Sequence, residues 1–499
     1  MAALPFAMNP PVGISGMAVY LPLYRVDLER WCEWTGNDPA KTRAVVGHAF
    51  RMPGADQNVY TLAANAVLRL IAQYDVDPRQ VGYLALGTES SIDNAAGAVI
   101  VRGLVDQALE SEGKPTLARD CEVPEFKHAC LGGVYALKGG LRYLACDGRG
   151  RQAIAVSADI AEYARGSSGE PTQGAGAVAM LLEASPRLLE LDLAMAGSAS
   201  EYRGLDFRKP FLRFAGQTPG MHGHLSDLPV FNGKYSTDCY TDATLRALDA
   251  MFVRRGGSRT AYLRGLAAAF MHRPYHRMPR NAWAMAYLAA LGHDAAKGDG
   301  DAARELDGYC AAAGVSRDDV MGEWQHGVDG CEGDALPADA YPAASMVLKV
   351  FRKSDAYERM VEGTLQTGSD AMMEFGNLYT AALPAWLAAG LDDAAARGEE
   401  LAGRDLLVLG YGSGDAAEAI PARVASGWRE AARAMRFRDA LTGAVDLDET
   451  GYAALHDSAT RDGVQFNANS GVVIDHVGAH NEHAFQDYGI AYYRYLGQP

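Results

Sequence analysis

Lys127-His128-Ala129-Cys130-Leu131-Gly132-Gly133-Val134-Tyr135-Ala136-Leu137-Lys138 places a thiol just ahead of a helical repeat. Val134, Leu137, Leu141 and Leu144 recur at helical spacing on one face. A thiol at a helix N-terminus feels partial positive charge, so a lowered pKa is expected for Cys130. Gly132 and Gly133 are poor helix formers, but they fit where a substrate or a neighbouring backbone must approach closely. The same residues fit a small buried thiol in a packing contact, because free cysteine is among the most buried residues.

Outward from this segment, short apolar runs alternate with amphipathic stretches, the pattern of an α/β chain. Val81 to Thr88, Gln152 to Ala158, Val178 to Leu182, Leu266 to Phe270 and Leu406 to Gly410 read as buried strands, and Tyr60 to Tyr74 as a helix. Two of these strands run into polar groups, Glu89 after the first and His272 after the fourth. Sites in α/β sheets collect at the carboxyl ends of strands. One Cys, one Glu and one His at such ends make a nucleophile with two acid/base groups. Alone, Glu89 also fits a helix cap and His272 a hydrogen-bonded core histidine.

The chain has 499 residues and a net charge of −16, which argues against general nucleic-acid binding. No apolar run is long enough to span a membrane, and the N-terminus lacks a signal-peptide layout. The seven cysteines form no CxxC pair, so a reducing, cytoplasmic setting is expected. Asp475 to His483 carries three histidines in a spacing that fits no standard zinc pattern, so no metal is expected, and Met221-His222-Gly223-His224 reads as a loop. The stretch from His293 to Ala344, rich in Ala, Asp and Gly, reads as surface helices and loops. A boundary between two halves is expected between Ser185 and Tyr235.

Taken in order, the motifs resemble the 3-hydroxy-3-methylglutaryl-CoA synthase family of the thiolase superfamily. They include Gly87-Thr88-Glu89, His128-Ala129-Cys130-Leu131-Gly132-Gly133, Asp159-Ile160-Ala161-Glu162-Tyr163-Ala164 and Pro171-Thr172-Gln173-Gly174. Asp206-Phe207-Arg208-Lys209-Pro210, Asn232-Gly233-Lys234-Tyr235-Ser236, His272-Arg273-Pro274-Tyr275, Gly376-Asn377-Leu378-Tyr379-Thr380 and Tyr411-Gly412-Ser413-Gly414 follow. The resemblance implies a thiolase-like five-layered αβαβα fold built from two pseudo-repeated halves. These would be residues 1–190, carrying Glu89 and Cys130, and residues 191–499, carrying His272, Asn377 and Ser413 with a divergent region about 285–350.

The family chemistry implies that Cys130 is acetylated, Glu89 takes a proton from the acetyl methyl, and His272 polarises the ketone of a β-ketoacyl thioester such as acetoacetyl-CoA. Asn377 and Ser413 would bond acyl groups. Asp159, Tyr163, Thr172, Asp206 and Tyr379 would complete or support the site, and Arg277, with Arg273 and Arg280, would meet the phosphates of coenzyme A. Coenzyme A thioesters enter as substrates and no cofactor is implied. An acyl carrier protein is an alternative donor, as in relatives that install polyketide β-branches, and a non-catalytic thiolase-fold subunit is a third reading. A homodimer is the superfamily expectation. The family usually carries Asn before the Ala-Cys pair and an aromatic after it. Here His128 and Leu131 stand there, with consequences expected for the thiolate or the acyl pocket.

Overall fold

A computed structural model describes residues 10–91, 94–208, 228–329, 336–457 and 466–499. Lys209, Pro210 and the Met221 to His224 stretch lie outside the described residues. The backbone of the structure is a ten-stranded path of hydrogen-bonded strands. In chain order these are β1 (Val12–Tyr20), β2 (Val81–Gly87), β3 (Glu125–Phe126), β4 (Gln152–Ala161) and β5 (Gly174–Ala184). Then come β6 (Leu189–Leu191), β7 (Gly197–Ser200), β8 (Ala268–Met271), β9 (Asp405–Gly412) and β10 (Ala416–Val424). The order across the path is β8-β9-β10-β6-β1-β5-β4-β2-β3, with β7 paired to β10. All five apolar runs expected as strands are strands, because each is a near-continuous apolar stretch buried on both faces.

The short strand β6 is the joint. It pairs with β1 through Gly13–Glu190 and Ile14–Leu189, and with β10 through Leu189–Val424. On one side of it β1, β5, β4, β2 and β3 carry the Glu89 and Cys130 segments. On the other, β8, β9 and β10 carry His272 and Ser413.

The cysteine-linked helix α2 (Gly132–Ala145) follows α1 (Val59–Tyr74), whose start is held by an Asn58–Thr61 capping box. Helix α2 packs on β2 and β4 and also faces β9, where Leu131 and Val134 fill the space beside Gly410. It therefore lies between strands from both parts of the chain, with α1 outside the strands on one side of β6 and α3 (Gly233–Arg255) outside those on the other. This is the expected αβαβα layering. The choice between substrate and protein at the two glycines resolves toward protein: a Cβ on Gly132 would sit 2.7 Å from Phe126 O, and one on Gly133 would sit 2.1 Å from Ser157 Oγ.

The region expected as surface helices and loops is more ordered and more buried than its composition implies. Helices α4 (Met278–Ala296), α5 (Gly300–Ala313), α6 (Arg317–His326) and α7 (Pro342–Phe351) form a packed group. Leu306, Cys310, Val320, Trp324 and Tyr341 join the main core. Alanine and glycine lower the apolar signal of these helices, while a few large side chains do the anchoring.

Of the two charges on α2, Arg142 in the last turn is exposed, whereas Lys138 is buried and needs a partner. Lys138 Nζ meets Glu418 Oε2 of β10 at 2.7 Å, and Ser198 Oγ donates to the same carboxylate at 2.9 Å. The pair crosses from the central helix to the strands beyond β6. Lys138→Ala is expected to cost roughly 3–5 kcal/mol by leaving a buried carboxylate without its cation. Urea unfolding checks this, and the paired replacement Lys138→Met with Glu418→Leu should recover most of the loss. A native unfolding midpoint for the single variant would remove the pair from the account.

Candidate active site

The turn after β2 is built around one buried carboxylate. Asp159, on β4, accepts at Oδ1 from Thr88 Oγ1 (2.8 Å), Glu89 N (2.8 Å), Ser90 N (3.0 Å) and Ser90 Oγ (2.7 Å). At Oδ2 it accepts from Thr380 N (2.9 Å) and Thr380 Oγ1 (2.5 Å). Burial pushes its pKa up, and the bonds from Thr380, Ser90 and Thr88 pull against that. Asp159 does not line the cleft. It fixes the backbone of Glu89 and ties it to the segment around Thr380.

Glu89 thereby faces the thiol, with Cys130 Sγ 3.8 Å from Glu89 Oε2. Ala129 before the cysteine has φ of 39°, a left-handed conformation that turns the thiol out of the helix line. The expectation of a lowered thiol pKa is overturned. Burial pushes the Cys130 thiol well above the usual range, and the charges of Glu89, Asp159 and Asp206 push the same way. Helix α2 starts two residues later, at Gly132, and its partial charge is outweighed by three carboxylates drawn from distant segments. The resting sulfur is a protonated thiol with a carboxylate beside it.

His272 sits at the end of β8, its backbone N–H bonded to Leu409 O at 2.8 Å and its carbonyl accepting from Tyr240 Oη at 2.7 Å. The imidazole stacks on Tyr411 at 6.4 Å, and Nδ1 is buried with no hydrogen-bond partner among the described residues. Burial drops its pKa to about 3, so the ring is neutral and presents an unfilled polar atom.

Tyr411 links this histidine to a pair of acids. Its hydroxyl lies 2.7 Å from Asp206 Oδ2 and 2.9 Å from Asp415 Oδ1. Asp415 is held by Arg203 Nη1 at 2.7 Å. Burial, then the neighbouring Asp415, lifts the Asp206 pKa to about 7.

A cleft of about 320 Å³ collects most of the expected residues: Cys130, Tyr163, Thr172, Asp206, His272, Asn377, Tyr379 and Ser413 all line it. Tyr163 and Tyr379 meet edge to face at 6.2 Å and form a small apolar cluster with Cys130 and Ala161. Asn377 N donates to Thr172 O at 3.1 Å, and Asn377 Oδ1 accepts from Tyr379 N at 2.9 Å. Gly376 precedes them at φ of 76°, and a Cβ there would lie 1.7 Å from Gln173 O, so only glycine allows the two loops to meet.

Of the three arginines, two are turned inward. Arg273 donates to Ser369 O at 3.0 Å and Ser369 Oγ at 2.9 Å, contacts His276 Nδ1 at 2.7 Å and lies over Trp386. Arg280 pairs with Glu362 at 2.9 Å. The expectation that these two meet phosphates is corrected: their guanidinium groups serve the fold. Arg277 is exposed outside the cleft wall, between the lining residues Tyr275 and Met278. His128 and Leu131 are likewise absent from the lining: His128 stacks edge-on against Tyr135, and Leu131 fills the core beside Gly410 and Gly412. Sequence reasoning quoted Tyr411 without giving it a part, and passed over Val45, Val46, Ser168, Gly169 and Asp415. The aromatic at the end of an apolar strand was the available signal for Tyr411. Among the described residues no group of three or more His, Cys, Asp or Glu could hold a metal. His480 of the C-terminal run pairs with Asp487 at 3.1 Å.

The raised thiol pKa has a direct consequence. Alkylation of Cys130 by iodoacetamide should be much slower than that of the exposed Cys146 at pH 8, and should still be rising at pH 9.5, because thiolate is the reactive form. Peptide mass spectrometry over a pH series reads both sites. Faster reaction of Cys130 than Cys146 at pH 7 would contradict the assignment.

Residues 9–186 match the family model described as hydroxymethylglutaryl-coenzyme A synthase N terminal. A hydroxymethylglutaryl-CoA synthase of Haloferax volcanii is 27% identical over 452 residues, covering 89% of this chain and 91% of that protein. One from Enterococcus faecalis is 30% identical over 273 residues, covering 54% of this chain and 63% of that protein. The solved structure of MvaS in complex with 3-hydroxy-3-methylglutaryl coenzyme A superposes with a TM-score of 0.74 at 26% identity, covering 98% of this chain and 100% of that one. The chain is thus similar to hydroxymethylglutaryl-CoA synthases over nearly its whole length, shares the thiolase-like fold, and is an acyl-thioester condensing enzyme.

Proposed function

We propose that the cleft carries out the whole condensation with the following division of labour. Cys130 takes an acetyl group from a coenzyme A thioester as a covalent thioester. Glu89 removes a proton from the acetyl methyl, and the resulting carbon attacks the ketone of a β-ketoacyl thioester such as acetoacetyl-CoA. Water then releases the product from Cys130. The observation that carries this reading is the 3.8 Å approach of Glu89 Oε2 to Cys130 Sγ, a thiol that lines the cleft together with His272. A carbon acid is weak, so its base must be close and partly desolvated, which the buried Glu89 satisfies.

His272 is neutral and offers a hydrogen bond to the acceptor's ketone oxygen as charge grows there. Asn377 and Ser413 face the same space as polar contacts for the acyl groups. Tyr163 and Tyr379 wall off water around the acetyl group, and Thr172 orients Asn377 through its carbonyl. Asp159 is a positioning residue, since it holds Glu89 and touches no part of the cleft. Arg277 at the rim is the remaining cation of its cluster for a phosphate of coenzyme A or of a carrier-bound arm. Within the chain, the acylated half up to about residue 190 and the acceptor half beyond it meet at this cleft. The six described cysteines are all free thiols, which supports a reducing, cytoplasmic setting. Homodimerisation accords with the superfamily.

Labelled acetyl-CoA should place its label on the peptide containing Cys130, and Cys130→Ala should lose it entirely. Glu89→Gln should still be labelled but lose condensation by about 100-fold or more, the range for a positioned general base. Label on any other peptide sinks the assignment. Presenting acetyl-CoA and an acetylated carrier protein side by side reads the preferred donor.

A further inference from the structure

One turnover on the proposed scheme needs three proton abstractions, from the Cys130 thiol, the acetyl methyl and the hydrolytic water, and this raises the question of the base for the last. Glu89 holds the methyl proton once the carbon–carbon bond has formed. Water must then lose a proton as it attacks the acyl-Cys130 carbonyl. His272, neutral and held far below its ordinary pKa, is a weak base.

We propose that Asp206 is the base for hydrolysis of acyl-Cys130, and that Asp415, fixed by Arg203, tunes it through Tyr411. Asp206 lines the cleft together with Cys130, and its Oδ1 is buried without a hydrogen-bond partner among the described residues. Its Oδ2 is occupied by the Tyr411 hydroxyl at 2.7 Å, which leaves Oδ1, closed off in the resting site, as the unfilled acceptor that the hydrolytic water must reach. The same hydroxyl lies 2.9 Å from Asp415 Oδ1, and one O–H carries one proton, so the two carboxyls compete for it. Asp415 is additionally bonded by Arg203 Nη1 at 2.7 Å and by Gly414 N at 2.7 Å, two donors that stabilise a carboxylate charge there. Proximity to that charge makes Asp206 a stronger base than an isolated aspartate. The other titratable or charged groups around Asp206 are Cys130, Cys239 on α3, His272, Tyr411 and Arg203. Its pKa near 7 suits a base working at neutral pH.

The step balances. The water oxygen bonds to the thioester carbon, and the C–S bond breaks with its electron pair passing to Cys130 sulfur. One water proton goes to Asp206 Oδ1 and the other reaches the sulfur, regenerating the thiol. The product leaves as a carboxylate, and Asp206 returns its proton to solvent.

The assignment rests on acylation of Cys130, and the full-length enzyme tests the two separately. In rapid-quench experiments with labelled acetyl-CoA, Asp206→Asn should acetylate Cys130 within about threefold of native. It should hydrolyse the acyl-enzyme about 100-fold more slowly, so that acyl-enzyme accumulates in intact mass spectra. Native hydrolysis should rise with pH through about 7, since the ionised carboxylate is the active form. Asp415→Asn removes the neighbouring charge and should move that limb down by about one pH unit or more. Tyr411→Phe removes a donor to the carboxylate and should move it up, which serves if the first variant fails to fold. Native hydrolysis by Asp206→Asn, or a limb unmoved in the folded tuning variant, overturns the proposal. Absence of label on native Cys130 would instead overturn the covalent scheme.

Discussion

The site depends on one carboxylate, Asp159, which has no contact with the cleft. A fully buried negative charge is tolerated only when hydrogen bonds replace its water, and six donors do so here. Four come from the turn that carries Glu89, and two come from Thr380, more than 200 residues later in the chain. The same group therefore sets the backbone of the base and docks the loop that brings Asn377 and Tyr379. The 3.8 Å approach of base and thiol is a by-product of satisfying that charge.

Around this anchor the protein keeps charge scarce where sulfur and carbonyl chemistry occur. Cys130 is a protonated thiol, His272 a neutral ring, and the tyrosines are held far above their ordinary pKa by burial. Carboxylates supply nearly all the ionisable chemistry, each held in a different way. Asp159 is saturated with donors, Glu89 lies against the thiol, and Asp206 is coupled to Asp415. Identical side chains thus acquire different tasks from their surroundings, as burial and neighbours dictate.

The strands and the residues at their ends were legible because apolar runs bounded by polar groups carry a local signal. The motifs from Glu89 to Ser413 fixed which residues would meet, and eight of them line one cleft. Properties set by distant partners were not legible. The direction of the Cys130 shift depends on Glu89, Asp159 and Asp206, so a helix argument confined to residues 130–145 gave the wrong sign. Arg273 and Arg280 match phosphate ligands in type and position, but distant partners, Ser369 and Glu362, engage them in the fold. The helices after His293 were hidden by their alanine content, since Trp324 and Leu306 find their contacts only in the folded core.

The span between Asp159 and Thr380 also bears on how the enzyme is made. Cys130 and Glu89 are both synthesised within the first 130 residues, yet the turn holding Glu89 lacks two of its hydrogen bonds until Thr380 has been translated and docked. On the proposed roles, a nascent chain on the ribosome holds Cys130 before Glu89 is fixed beside it. On the same reading, about three-quarters of the polypeptide must be made before the pair can act, which guards against acyl transfer by partial chains.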